Sequence, residues 1–311
     1  MNRNKIEGEK GVCMLDEPKV ASTTLHPAPP QSYTVFMAGC NFICLNCQNW
    51  NIAHYPIQKT GIRGSVDPRE LAKEAVEKIR STRGKMIGAD RIFFSGGSPT
   101  PSLPFIEEVV KEAEQVDPEI KVNYDTNGFM TKSTLNRVTK IAESITFDFK
   151  AYNDDVHRAL TGAPVEPVLR NARILVEKTP EKLWEFRYLL IPGINEGNVE
   201  DLSEFLAGID EDIPLNFLAF RPNFVLEDHP GATKEEMRKA VKTAKEAGLE
   251  NVSWSGRTGL PGTIPNDSGA SLANKIARKK GCVSEKRDCS SCEKNKDCNL
   301  KSYNPGSERL I

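Results

Sequence analysis

No stretch of this 311-residue sequence approaches the roughly 20 consecutive apolar residues that a membrane-spanning helix requires. The N-terminal residues MNRNKIEGEKGVCMLDEPKV contain no apolar segment of the kind a secretory signal carries. A surplus of one charge is missing too. The 42 Lys and Arg against 43 Asp and Glu leave a net −1, so the balance favours neither nucleic acid nor an anionic membrane surface. The expectation is a cytoplasmic chain with no nucleic-acid and no membrane partner. No short internal repeat is visible, and 38% hydrophobic residues suffice for a folded core.

A cytoplasmic setting leaves eight cysteines without their usual employment in disulfides. Cys13 stands alone and reads as an incidental thiol. Cys40, Cys44 and Cys47 form one group, and Cys282, Cys289, Cys292 and Cys298 form another. Two tight groups at opposite ends of the chain suggest two metal sites.

Between them, short apolar runs alternate with helical stretches. Strands are expected at 33–37, 91–94, 120–124, 145–149, 186–191 and 215–220, all rich in β-branched or aromatic residues. Asp67-Pro68-Arg69-Glu70 reads as an N-cap, a first-turn proline and a capping-box acid, followed by Leu71, Ala75 and Ile79 at helical spacing. Helices are likewise expected at 104–116, 132–142, 166–178, 198–208 and 233–247, the last opening on the capping box Thr233/Glu236. Six β/α units imply an α/β fold with a parallel sheet, which an open partial barrel and a doubly wound sheet satisfy equally. Residues 1–31, ending in Pro27, Pro29 and Pro30, read as an irregular N-terminal arm, and 32–255 as the main domain. Residues 256–311 read as a Gly/Pro/Ser-rich linker and a small cysteine-rich C-terminal extension.

Cys40-x3-Cys44-x2-Cys47 directly follows the first expected strand. In a barrel-like protein that loop sits at the C-terminal face, where active sites collect. Three thiolates cannot fill the four corners of a [4Fe–4S] cluster, so one iron stays open to a cofactor or substrate. Zinc is the alternative, but it usually takes paired CxxC units or histidines, and the nearest histidine is His54.

The segment GCNFICLNCQN (39–49) resembles the radical SAM superfamily, and within it the branch of the pyruvate formate-lyase activating enzymes. The resemblance runs from about Tyr33 to Pro222. It implies a partial (β/α)6 barrel, a [4Fe–4S] cluster on Cys40, Cys44 and Cys47, and S-adenosyl-L-methionine (SAM) as cofactor. Ser95-Gly96-Gly97-Ser98-Pro99 resembles the family's GGEP segment, which contacts the SAM amino group. Asp125-Thr126-Asn127-Gly128 matches the activases' DTNG, and Asp148-Phe149-Lys150 their aspartate-x-lysine. Gly96, Gly97, Ser98, Asp125, Thr126, Asn127, Asp148 and Lys150 are thereby implied as cofactor-binding residues. Asp125, Thr126 and Asp148 would hold a monovalent cation beside the SAM carboxylate, a role suited to hard oxygen donors. Arg187 and Arg221 are the candidate catalytic residues. The chain departs from the pattern at several points. Ser98 replaces an acidic residue, Asn46 stands where an aromatic is common, Arg221 replaces a histidine, and Gln31-Ser-Tyr replaces a DGPG-like segment.

Cys282-x6-Cys289-x2-Cys292-x5-Cys298 supplies four thiols, enough for a fully ligated second [4Fe–4S] cluster or for a structural zinc. Its CxxC-x5-C core resembles SPASM or twitch extensions, although Ser302 occupies the next cysteine position. The resemblance implies reductive cleavage of SAM by an electron from a donor such as ferredoxin or flavodoxin. Hydrogen would then be taken from a peptidyl carbon of a protein or peptide substrate. The outcome would be a post-translational modification: a glycyl radical, or a methyl group delivered from cobalamin. The usual cobalamin motif is broken, because Leu160 stands where the series begun by Asp155 and His157 needs glycine. A small-molecule radical SAM enzyme and a non-catalytic Fe–S carrier are the remaining readings.

Overall fold

The computed structural model describes residues 18–58, 61–260, 262–264 and 267–306, so Cys13 lies outside the described part. Among these residues one sheet contains eight strands in sequential order: β1 (Val20–His26), β2 (Ser32–Met37), β3 (Arg91–Gly96), β4 (Lys121–Thr126), β5 (Ser144–Phe149), β6 (Leu183–Leu190), β7 (Leu215–Ala219) and β8 (Val252–Ser255). Strands β2 to β8 run parallel, and β1 pairs antiparallel with β2. Helices cross over between the parallel strands, which makes this the partial barrel of an α/β protein.

The six expected strands are all present, with ends moved by up to three residues. Two strands are additional, and both correct the sequence reading. Residues 20–26 are not irregular: Val-Ala-Ser-Thr-Thr-Leu-His pairs with β2 through its backbone, and half of it stays exposed, so no apolar run marked it. Residues 252–255 continue the sheet past the point where the alternation was expected to end, again as a partly exposed edge. Such strands are specified by ladder hydrogen bonds more than by burial.

Local signals account for the helices. The Asp67 side chain accepts from the Arg69 and Glu70 amides, with Pro68 in the first turn of the helix Pro68–Arg80. Thr233 and Glu236 form a reciprocal capping box at the helix Lys234–Glu246. Side-chain alternation then divides the sheet into two faces. One face carries Ile145, Phe147, Phe149, Phe186, Tyr188 and Phe217, all buried in the core. The other is polar: Ser144 donates to Asn123 at 2.7 Å, and Asn123 to Thr146 at 3.3 Å. This polar inner surface leads up to the C-terminal ends of the strands.

Candidate functional site

At that end, one cavity is lined by Cys40, Cys44 and Cys47, by Gly96 to Pro99, by Asp125, Thr126 and Asn127, and by Asp148 and Lys150. Residues drawn from the ends of four successive parallel strands therefore meet at one place. Leu189 on β6 and Leu218 on β7 close the far wall.

Backbone bonds fix the cysteine loop against the next strand. The amides of Gly97 and Ser98 donate to the carbonyls of Met37 and Gly39 at 2.9 Å each, and the Asn49 side chain donates to Gly96 O at 2.8 Å. The close approach demands glycine. Gly96 has φ +114°, and a Cβ on Gly97 would stand 2.2 Å from the Gly39 carbonyl oxygen. On the other side the loop is tied to β4: Asn127 donates to Asn41 Oδ1 at 2.7 Å, and Asn41 donates to Phe129 O at 2.8 Å. Phe42 packs between the rings of Phe129 and His157.

The charged floor is mixed. Ser95 donates to Asp125 Oδ2 at 2.6 Å, and Lys150 Nζ lies 3.2 Å from Asp148 Oδ2. Burial, reinforced by the like charge of Asp148, pushes the Asp125 carboxyl up to about 6, against the pull of Arg187 and the Ser95 bond. Burial works against the Lys150 ammonium, but Asp148, Cys44 and Asp125 together hold it above its ordinary range. Burial also raises the Cys44 thiol to about 12 and the Cys47 thiol further. Thiols so placed stay protonated near neutral pH and release their protons when a metal binds them.

Three buried polar atoms lining the cavity have no protein partner: Asn46 Oδ1, Ser98 Oγ and Asp125 Oδ1. Unsatisfied groups concentrated in a thiol-lined hollow fit a polar cofactor there. Among the described residues, no three His, Cys, Asp or Glu side chains close around a point as a single metal ion requires. A cubane, whose thiolates sit on separate irons, makes no such demand.

The two arginines fall elsewhere. Arg187 pairs with Asp148 in the β5–β6 register and gives its Nε to Glu185 at 2.5 Å, so it sits within the barrel beneath the cavity rather than on its wall. Arg221 is exposed, and its carbonyl accepts from Asn223. Ser95, Asn46 and Asn49 lie inside the recognised motifs but were given no role of their own there, and Glu185, which sequence reasoning missed, lies two residues from Arg187 on one face of β6.

The four tail cysteines also converge. Cys282, Cys289, Cys292 and Cys298 line a second cavity, whose wall toward the barrel is Ile43 of the first cysteine loop. The helix Asp154–Thr161 binds both the first cysteine loop and the tail. Its C-terminal carbonyls at Leu160 and Thr161 accept from Leu45 and Ile43 at 2.9 Å, and Gly162 O accepts from Cys289 at 3.0 Å. His157 is fully buried in this platform, with Nδ1–H on the Ala163 carbonyl at 2.8 Å. No helix among the described residues is long and apolar enough to cross a membrane.

Comparison with known proteins identifies relatives and a family. An uncharacterized protein of Methanocaldococcus jannaschii is 25% identical over 256 residues, spanning 78% of this chain and 72% of that one. The pyruvate formate-lyase-activating enzyme of Staphylococcus epidermidis is 27% identical over 190 residues, 58% of this chain and 71% of the relative. Among solved structures, Streptococcus suis SuiB bound to the precursor peptide SuiA has a TM-score of 0.50 at 15% identity, covering 70% of this chain and 47% of that one, a likeness of fold. The profile described as "Radical SAM superfamily" matches residues 34–206, more than half of the chain. The chain thus belongs to the radical SAM superfamily, enzymes that work with a [4Fe–4S] cluster and SAM.

Proposed function

We propose that this enzyme abstracts hydrogen from a peptidyl carbon, Cα by preference, of a protein or peptide substrate. The observation that carries the reading is the single cavity that joins Cys40, Cys44 and Cys47 to Gly96–Ser98 and to Asp125, Asp148 and Lys150. Support for the substrate class comes from the relative named as activating pyruvate formate-lyase, and from the cysteine-rich extension.

When bound, the cluster and SAM supply one-electron chemistry that ends in a carbon-centred radical at C5′ of the deoxyadenosyl group. The chain's own residues prepare for it. Cys40, Cys44 and Cys47 would anchor the cluster and leave one corner for SAM. Ser98 Oγ and the strand-end backbone at Gly96 and Gly97 would orient the amino group. Asp125, Thr126 and Asp148 would hold a monovalent cation opposite the carboxylate, with Lys150 lending a second positive charge. Leu189, Leu218 and Phe42 give the cavity apolar walls that would limit the access of water to the reacting carbon. An external flavodoxin or ferredoxin would deliver the electron. The four tail cysteines would hold a second [4Fe–4S] cluster, so that 256–311 serves as an auxiliary metal-binding unit.

Anaerobic reconstitution with iron and sulfide, followed by dithionite and SAM, tests the reading. The wild type is expected to release 5′-deoxyadenosine and the Cys40→Ala/Cys44→Ala/Cys47→Ala variant none. Peptide substrates are expected to change the rate of SAM cleavage where metabolites do not. A wild type that assembles no cluster, or responds only to metabolites, overturns it.

A further inference from the structure

Arg287 is the largest fully buried side chain among the described residues, and it lies in the tail, two positions before Cys289. Its Nη1 donates to Ala159 O and its Nη2 to Ile43 O, both at 2.6 Å. Its Nε is buried with no acceptor. Among the described residues no carboxylate stands within 4.0 Å of the guanidinium to pair with it. The neighbouring Asp288 turns away, accepting from Ser290 at 2.7 Å. The backbone at Arg287 has φ +50°, a left-handed conformation that a bulky side chain adopts only when its surroundings impose it.

A permanently charged group held dry, without a counterion among the described residues and on a strained backbone, is costly unless something anionic lies close by. The two faces of Ile43 indicate where. Its neighbours Phe42 and Cys44 line the first cavity, and Ile43 itself lines the second. Arg287 grips the carbonyl of this shared residue, so its charge stands between the two thiol-lined hollows. Thiolate-ligated cubanes carry net negative charge, and more when reduced.

We propose that Arg287 is a shared counterion, fixed between the cluster on Cys40/Cys44/Cys47 and the cluster on Cys282/Cys289/Cys292/Cys298, that raises the reduction potential of both. This rests on the assignment of iron–sulfur clusters to both cysteine groups. Arg287 acts as a positioning and tuning residue: it lines neither cavity. Its hydrogen bond to Ile43 O also holds the first loop in register with the tail.

The test is an EPR-monitored redox titration of the reconstituted full-length protein, preceded by iron and zinc analysis of the wild type. Arg287→Gln keeps a donor for one carbonyl but removes the charge. Both couples are expected to become harder to reduce by about tenfold in equilibrium constant, about 59 mV for one electron. Arg287→Lys keeps the charge and is expected to leave both near wild type. Arg287→Met replaces the Gln variant should that one fail to fold. Unmoved potentials in the charge-free variant overturn the inference while leaving the cluster assignment intact. Equal shifts in Arg287→Lys and Arg287→Gln overturn it also, because geometry and not charge would then be responsible. A wild type with zinc in the tail, or with iron for one cluster only, overturns the inference together with the assignment beneath it.

Discussion

Gly162 and Cys289 are in such close contact that a methyl group on Gly162 would stand 2.2 Å from the cysteine sulfur. The glycine ends the helix Asp154–Thr161 in a left-handed turn, φ +82°, and its carbonyl accepts from the Cys289 amide. The tail is therefore seated on the barrel by a residue that has no side chain. Gly162→Ala meets both the conformational penalty and the collision, and is expected to destabilise the protein by about 2–4 kcal/mol. Denaturant melts check the stability. If the tail cysteines hold the proposed second cluster, metal analysis should show loss from the tail ahead of loss from the first cysteine group.

Ser98 offers a cleaner separation of binding from folding. Its hydroxyl is buried and has no protein partner. Ser98→Ala should leave the melting midpoint unchanged or slightly higher, since an unsatisfied group is removed. If the hydroxyl serves SAM, the Kd for SAM should weaken by about three- to tenfold, roughly the net worth of one hydrogen bond. Calorimetric titration of SAM against the anaerobic protein reads this directly.

Asp125 shapes how the cofactor-free protein responds to pH. Its carboxyl titrates near 6 in the fold, through burial and then Asp148, against an ordinary 3.8. Between about pH 4 and 6 the unfolded chain has already released a proton that the folded chain keeps. This contribution to stability therefore falls as pH rises through that window. Asp125→Asn should abolish the slope and stabilise the cofactor-free protein at pH 7 by on the order of 1–3 kcal/mol, as measured by urea titration.

His157 acts in the opposite sense. Burial holds the ring down to about 4, although its bond to the Ala163 carbonyl pulls the other way. From pH 4 to about 6.5 the unfolded state takes up a proton that the folded state refuses, so stability rises with pH and levels off above 6.5. The amplitude is on the order of 3 kcal/mol. In the same urea series His157→Gln should lose this rise and keep the fall due to Asp125.

Arg187 and Arg221 should behave unalike. Arg187→Ala removes the partner of Glu185 and a positive charge that faces Asp125 and Asp148. A cost of about 3 kcal/mol or more in stability is expected, with poor recovery of folded protein. Arg221 is exposed and lies off the cavity wall. Arg221→Ala should change SAM cleavage less than twofold in the 5′-deoxyadenosine assay.

The parts of the site that could be read in advance were those whose chemistry and spacing are local. Cys40, Cys44 and Cys47 fall within eight residues, and Gly96–Ser98, Asp125–Asn127 and Asp148–Lys150 each close a strand with a strong apolar period. The family resemblance marked these segments as cofactor-binding, and the strand ends of one parallel sheet bring them to the same place. The strands β1 and β8 escaped because an edge strand needs no buried face. Arg287 escaped for another reason. A polar tail contains many basic residues, and only its partners, the carbonyls of Ala159 and Ile43, distinguish this one from a solvated surface arginine.

The bond from Arg287 to Ile43 O spans 244 residues of chain. Contacts that close so long a loop come late in folding, and during synthesis the N-terminal segments emerge first. The barrel and its first cysteine loop can thus be complete while the tail is still on the ribosome. Biogenesis then has a natural order, in which the first cysteine loop takes its place on the barrel before the segment that grips it at Ile43 is made.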